Sequence, residues 1–149
     1  MDTVYIETSI VSHATAWPSR DIQIAAMQQQ ARDWWALERP KFDLVTSQLT
    51  INEASAGDPT AAADRLKLLT GLSLVDINAD TEALAARLLA AHTMPKKAAA
   101  LAGVRYLLTL NCTHIANAHE LPRVYKILRS EGLDTLLICT PSEFLGGSN

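Results

Sequence analysis

The sequence is poor in the features that announce several large protein classes. It has two cysteines, Cys112 and Cys139, and neither belongs to a CxxC pair, so a reduced cytoplasmic protein is expected rather than a disulfide scaffold. No stretch approaches the roughly 20 apolar residues of a membrane-spanning helix. The opening MDTVYIETSI has no basic region followed by a long apolar run, so no signal peptide is expected. Charged residues make up 19% of the chain, too few for a disordered tail. GxxxxGK[ST] and GxGxxG are absent, which removes support for nucleotide phosphate binding, and the absence of GxSxG does the same for an α/β-hydrolase. His13, His92, His114 and His119 form no HExxH. The five-residue spacing of the last two is off-face on a helix, so the histidines read as surface or loop residues. There is no internal repeat, low-complexity tract or linker.

What is present fits one domain spanning residues 1–149. Hydrophobic residues reach 48%, enough to build a core at this length. The net charge of -3 and pI near 5.7 weigh against a sequence-independent nucleic-acid binder. An acidic metal site contributes negative charge of its own, however, and one local basic patch can still meet phosphate.

Apolar runs alternate with helical patterns, which predicts an α/β fold on a mainly parallel sheet. Val4–Ile6 reads as the first strand, with TSIVSH as a turn after it. A helix follows Pro18-Ser19, with Ile24, Met27, Ala31, Trp34 and Trp35 on its apolar face and Pro40 as its stop. The two tryptophans are expected in the core. Asp43–Thr46 is a strand, Ser47 an N-cap, and the next helix carries Glu53. A third helix starts near Pro59 with Leu66 and Leu69, and Leu72–Ile77 reads as a buried strand. Asp80 is placed as the N-cap of an Ala/Leu-rich helix over Thr81–Ala91, closed by Pro95. Val104–Leu110 is the clearest strand. Pro122 opens a helix with Leu121, Val124, Ile127 and Leu128 on its apolar face, terminated by Gly132. Thr135–Cys139 is the last strand, and Thr140-Pro-Ser-Glu143 has the form of a capping box for a short final helix.

Open α/β sheets place their sites at the carboxyl ends of strands. Glu7 ends the first strand, Glu53 rides the helix after the second, and Asn111 ends the YLLTL strand; Asp76 reads as lying inside its strand. A carboxylate directly after VYI lies beside the core, where charge is costly unless paired, hydrogen-bonded or bound to metal. Two readings of Glu7 stay open at this point: a metal ligand, and a strand-end carboxylate capping N–H groups of the TSIVSH turn. Taken singly, Glu53 is an ordinary solvated helix residue and Asn111 a turn former; the inferred topology brings all three to one edge. Arg123, Lys126 and Arg129 recur every three residues on one helix, Lys96 and Lys97 follow Pro95, and Arg105 begins a strand. These are a solvated face or, more sharply, phosphate contacts.

Three stretches carry a family likeness. VYIETSI resembles the opening strand of PIN domains, LVTSQLTINEA their second motif, and YLLTLNCTHIANA their last, with Asn117 near Asn111. The likeness runs in order along nearly the whole chain, and it resembles the VapC-like toxin ribonucleases in particular. That resemblance implies a three-layer α/β fold with a central parallel sheet. It also implies Mg²⁺ or Mn²⁺ held by Glu7, Glu53 and Asn111, hydrolysis of RNA phosphodiesters, a small antitoxin partner, and homodimerisation. Hard divalent cations prefer oxygen ligands, which these residues offer. The chain departs from the family at three places. Glu7 and Asn111 stand where Asp is usual. The helix with a D-A-x-H-like stretch that normally precedes the YLLTLN strand has no counterpart, because KKAAA runs straight into LAGVRYLL. A true deletion there would remove a layer element as well as a carboxylate. The expectation is therefore a Cα–Cα step longer than the ordinary value of about 3.8 Å somewhere between Ala98 and Gly103. The competing reading is a PIN-like module that binds RNA or a protein without cleaving. A flavodoxin-like or response-regulator-like domain is a weaker third, since no Asp pair follows the first strand.

Overall fold

Each strand runs parallel to its neighbours in a five-stranded sheet of order β3-β2-β1-β4-β5. The computed structural model describes residues 1–76, 103–133 and 135–146. In these, β1 is Thr3–Ile6, β2 Asp43–Ser47, β3 Ser73–Val75, β4 Tyr106–Leu108 and β5 Leu137–Cys139. Helix α1 spans Thr8–Thr15, α2 Ile22–Asp33, α3 Gln48–Ala54, α4 Pro59–Leu69, α5 Leu121–Ser130 and α6 Ser142–Leu145. The expected α/β architecture with a parallel sheet flanked by helices is what the chain adopts.

The centre of the sheet is apolar on both sides, as an all-parallel sheet requires. Val4, Tyr5 and Ile6 are fully buried, and their period-two alternation sends them to opposite faces. Val4, Ile6 and Leu108 join Ile10, Val11, Ala31, Trp34 and Leu69 on one face. Tyr5, Leu107 and Ile138 join Val124, Leu128 and Leu136 on the other. Helix α5 ends in a Schellman motif: Leu133 N–H donates to Leu128 O at 2.8 Å and Gly132 N–H to Arg129 O at 3.0 Å. Gly132 makes this turn at φ 73°, a conformation that side chains disfavour.

Several expectations change. TSIVSH is not a turn but the body of α1, because Glu7 caps it and Ile10 and Val11 bury against the sheet. Strand β3 is shorter than Leu72–Ile77 and is not buried; it is the sheet's edge, so Leu74 is 51% exposed. Asp76 therefore follows β3 rather than lying within it. Ile24 is exposed on the first turn of α2, while Gln28 is buried and bridges Trp17 O and Ser19 N–H. Pro40 does not stop α2. The helix relaxes into a π turn over Trp34–Glu38 and a 3₁₀ turn over Arg39–Lys41, where proline's missing N–H has no partner to lose. Trp34 is in the core and Trp35 half-buried. The Thr140–Glu143 capping box is half formed: Thr140 N–H reaches Glu143 Oε1 at 3.3 Å, and its hydroxyl turns to the same carboxylate. The Asp80-capped helix, Pro95, Lys96, Lys97 and the step across Ala98–Ala102 lie outside the described residues.

Candidate functional site

Chain order β1, β2, β3 moves one way from β1, and β4 returns to pair on its other side. The crevice between the carboxyl ends of β1 and β4 is thus the switch point where α/β sheets take ligands. Glu7 sits there, directly after β1, with its backbone N–H on Leu108 O at 3.2 Å.

The side chain of Glu7 is only 4% exposed. Its Oε2 accepts Ser9 N–H at 3.0 Å, which caps α1. Its Oε1 accepts the Ser9 hydroxyl, and the Thr109 hydroxyl at 2.5 Å. Ser9 Oγ in turn accepts Leu110 N–H at 2.8 Å, and Thr109 Oγ1 accepts Asn111 N–H at 3.0 Å. The capping reading of Glu7 is the one the structure shows, on the N-terminus of α1, and the same side chain leaves a buried carboxylate at the switch point. The ion pairs among the described residues, Lys41–Glu38 and Arg123–Glu120, include neither Glu7 nor Glu53. Among the described residues, the charge of Glu7 is met by dipoles and not by a cation.

Glu53 approaches from the other side. It is exposed on α3, and its Oε2 accepts the Thr8 hydroxyl at 3.0 Å. The first two residues of α1 therefore hold one carboxylate each. Below them lies Tyr5, whose hydroxyl is 2.6 Å from Ser47 Oγ and 3.0 Å from Thr50 Oγ1. Burial pushes the Tyr5 phenol up from its usual value. The hydroxyls of Ser47 and Thr50 oppose this, while the charges of Glu7 and Glu53 reinforce it. The two carboxylates therefore push this one buried hydroxyl in the same direction. His13, further along α1, is pulled below its ordinary value by burial, with the charge of Glu7 opposing.

Asn111 joins through its backbone. Its amide oxygen accepts His114 N–H at 3.0 Å, closing the turn after β4, so its side chain does the work of a turn former. Asp76 stands at the carboxyl end of the edge strand β3, and among the described residues no three His, Cys, Asp or Glu side chains form a group suited to a metal. Arg123, Lys126 and Arg129 lie exposed on α5 opposite buried Val124 and Leu128, and Arg123 meets Glu120 at 3.4 Å.

The residues that sequence spacing did not reveal are Ser9, Thr109 and Tyr5. Thr109 is 102 positions from Glu7, and only the β1–β4 register joins them. A signal was available for Tyr5: in a strand, residues 5 and 7 share a face. The chain matches no family model, no curated protein and no solved structure.

Proposed function

We propose that the chain is a PIN-like, Mg²⁺- or Mn²⁺-dependent endoribonuclease of the VapC-like toxin kind, with Glu7 and Glu53 as its metal-holding residues. The observation that carries the proposal is the meeting of these two carboxylates around the first turn of α1, at the sheet's switch point. The donor set suits a hard cation, because both groups are carboxylates and neither has a cationic partner among the described residues. When bound, such a cation activates water and neutralises charge developing on phosphate. The chain's own part is orientation. Ser9 and Thr109 hold Oε1 of Glu7 in one direction, and Thr8 does the same for Oε2 of Glu53. Asn111 sets the turn beside them, and Arg123, Lys126 and Arg129 offer positive charge to an RNA backbone. The same reading brings a cytoplasmic location, a small antitoxin partner and a homodimer. No helix among the described residues is long and apolar enough to cross a membrane.

A second reading, a PIN-like module that binds RNA or a protein without cleaving, has its own supporting observations. The amide oxygen of Asn111 is engaged by His114 N–H, and no three-acid group assembles among the described residues. One experiment separates the two. The purified chain is incubated with a generic RNA over a range of Mn²⁺ concentrations, beside Glu7→Gln and Glu53→Gln. Cleavage that requires Mn²⁺ and is lost in both variants supports the ribonuclease. RNA binding without cleavage at every Mn²⁺ concentration moves the non-catalytic module ahead, and cleavage that persists in both variants ends the assignment of the site.

A further inference from the structure

Glu7 ends β1 and Glu53 rides α3, so the distance between the two carboxylates depends on what fastens α3 to β1. The link from Thr46 Oγ1 to Ile6 O, at 3.0 Å, joins only the strands. Tyr5 reaches further. Its hydroxyl meets Ser47 Oγ, the N-cap that accepts Thr50 N–H at 3.4 Å, and it also meets Thr50 Oγ1. Thr50 lies three residues before Glu53, on the same side of the helix. Tyr5 and Ser47 are fully buried and Thr50 is 1% exposed, so water is not at hand to replace a lost partner. Packing alone would be served by phenylalanine, whose ring fills the same space.

We infer that Tyr5 is a positioning residue for the Glu53 carboxylate, because its buried hydroxyl pins the first turn of α3 to the strand that ends in Glu7. The inference rests on the reading of Glu7 and Glu53 as metal-holding residues and adds what sets their separation. Groups that orient metal ligands from behind are worth about tenfold or more in metal affinity.

The test is Mn²⁺ affinity, measured by calorimetry well below the melting temperature, for the full chain and for Tyr5→Phe, Thr50→Val and Thr50→Ser. Tyr5→Phe and Thr50→Val are expected to weaken Mn²⁺ binding about tenfold, while Thr50→Ser, which keeps the hydroxyl, stays near the starting affinity. Should Tyr5→Phe fail to fold, Thr50→Val and its serine counterpart decide. Against a Glu53→Asp background, Tyr5→Phe is expected to change affinity less than about twofold, because residues acting through one group do not add. A full loss in that background assigns Tyr5 to the general scaffold and overturns the inference. Unchanged affinity in both Tyr5→Phe and Thr50→Val overturns it too, while leaving the ribonuclease reading in place. A wild-type chain that binds no Mn²⁺ removes both.

Discussion

Glu7 and Glu53 both take hydrogen bonds from the first turn of α1, yet their surroundings are opposites. Glu7 is buried, capped into α1 and bonded across the sheet to Thr109. Glu53 is exposed and, among the described residues, takes a single side-chain hydrogen bond, from Thr8. A buried acceptor that loses its place leaves its donors unsatisfied, whereas an exposed one hands them to water. One carboxylate is therefore part of the fold as well as of the proposed site, and the other is free of such a structural duty. Substitutions at the two positions should separate in stability even where they coincide in activity.

The sharpest test of that contrast is the pair Glu7→Ala and Glu53→Ala. On the proposed ribonuclease reading, both should abolish Mn²⁺-dependent cleavage. Glu7→Ala should also cost about 1–3 kcal/mol in urea unfolding, because the hydroxyls of Ser9 and Thr109 lose their acceptor. Glu53→Ala should stay within about 0.5 kcal/mol of the parent. Equal destabilisation would erase the distinction.

Thr109→Val probes the Glu7 side without touching a carboxylate. It removes the donor to Glu7 and the acceptor of Asn111 N–H, so a loss of about 1–3 kcal/mol is expected. A valine variant as stable as the parent would mean that Glu7 is held by α1 alone.

The pH dependence should be lopsided. Burial raises Tyr5, Tyr125 and Cys139, the last from 9.0 to about 12. The unfolded chain deprotonates these groups first, so their contribution to stability is full below pH 9 and is lost as pH climbs from 9 through 10 and beyond. Cys139→Ala should remove the earliest part of that fall in a melting series. His13 behaves inversely. Its neutral form is favoured in the fold, so stability is full above its ordinary value of 6.5 and declines as pH drops below it. A His13→Gln variant with an unchanged acid limb would show that His13 contributes nothing there.

The smallest effect belongs to α5, outside both halves of the comparison. Arg123, Lys126 and Arg129 are exposed, so their joint replacement by glutamine should leave stability within about 0.5 kcal/mol. If they meet phosphate, the salt dependence of RNA binding should flatten by roughly 0.7 in slope for each phosphate no longer neutralised. An unaltered slope makes them an ordinary solvated face.

Elements whose signals are local were legible in the sequence. Ser47 caps α3 through its own hydroxyl, Pro59 opens α4, and Gly132 closes α5 in a backbone turn that suits glycine. Helix α1 was not legible, since TSIVSHAT is rich in β-branched and hydroxyl residues that prefer other conformations. It forms because Glu7 caps it and the sheet buries Ile10 and Val11, and both are tertiary facts. Strand β3 read as buried because Leu74 and Val75 are apolar, but sheet order decides burial, and that order puts β3 at the edge. The positions of Glu7 directly after a strand and of Glu53 on the helix after the next could be inferred from alternating runs, whereas β4 stops at Leu108 and leaves Asn111 three residues into the loop instead of at the strand's end. The hydroxyls that orient the two carboxylates come from across the fold, and the engagement of Asn111's amide oxygen by His114 N–H depends on the detailed path of a loop.

The bond between Glu7 and Thr109 spans 102 residues. A ribosome adding about 5–20 residues per second makes Glu7 long before its partner, by roughly 5–20 seconds. During that interval β1 has β2 to pair with, but not β4, and the switch-point crevice has only one wall. Nascent chains arrested before Thr109 should therefore bind Mn²⁺ no better than a Thr109→Val chain, and tighter binding would show that α1 builds the pocket unaided. Synthesis order makes the Thr109 side of the candidate site a late arrival, added well after β1, α1 and β2 have left the peptidyl-transfer site.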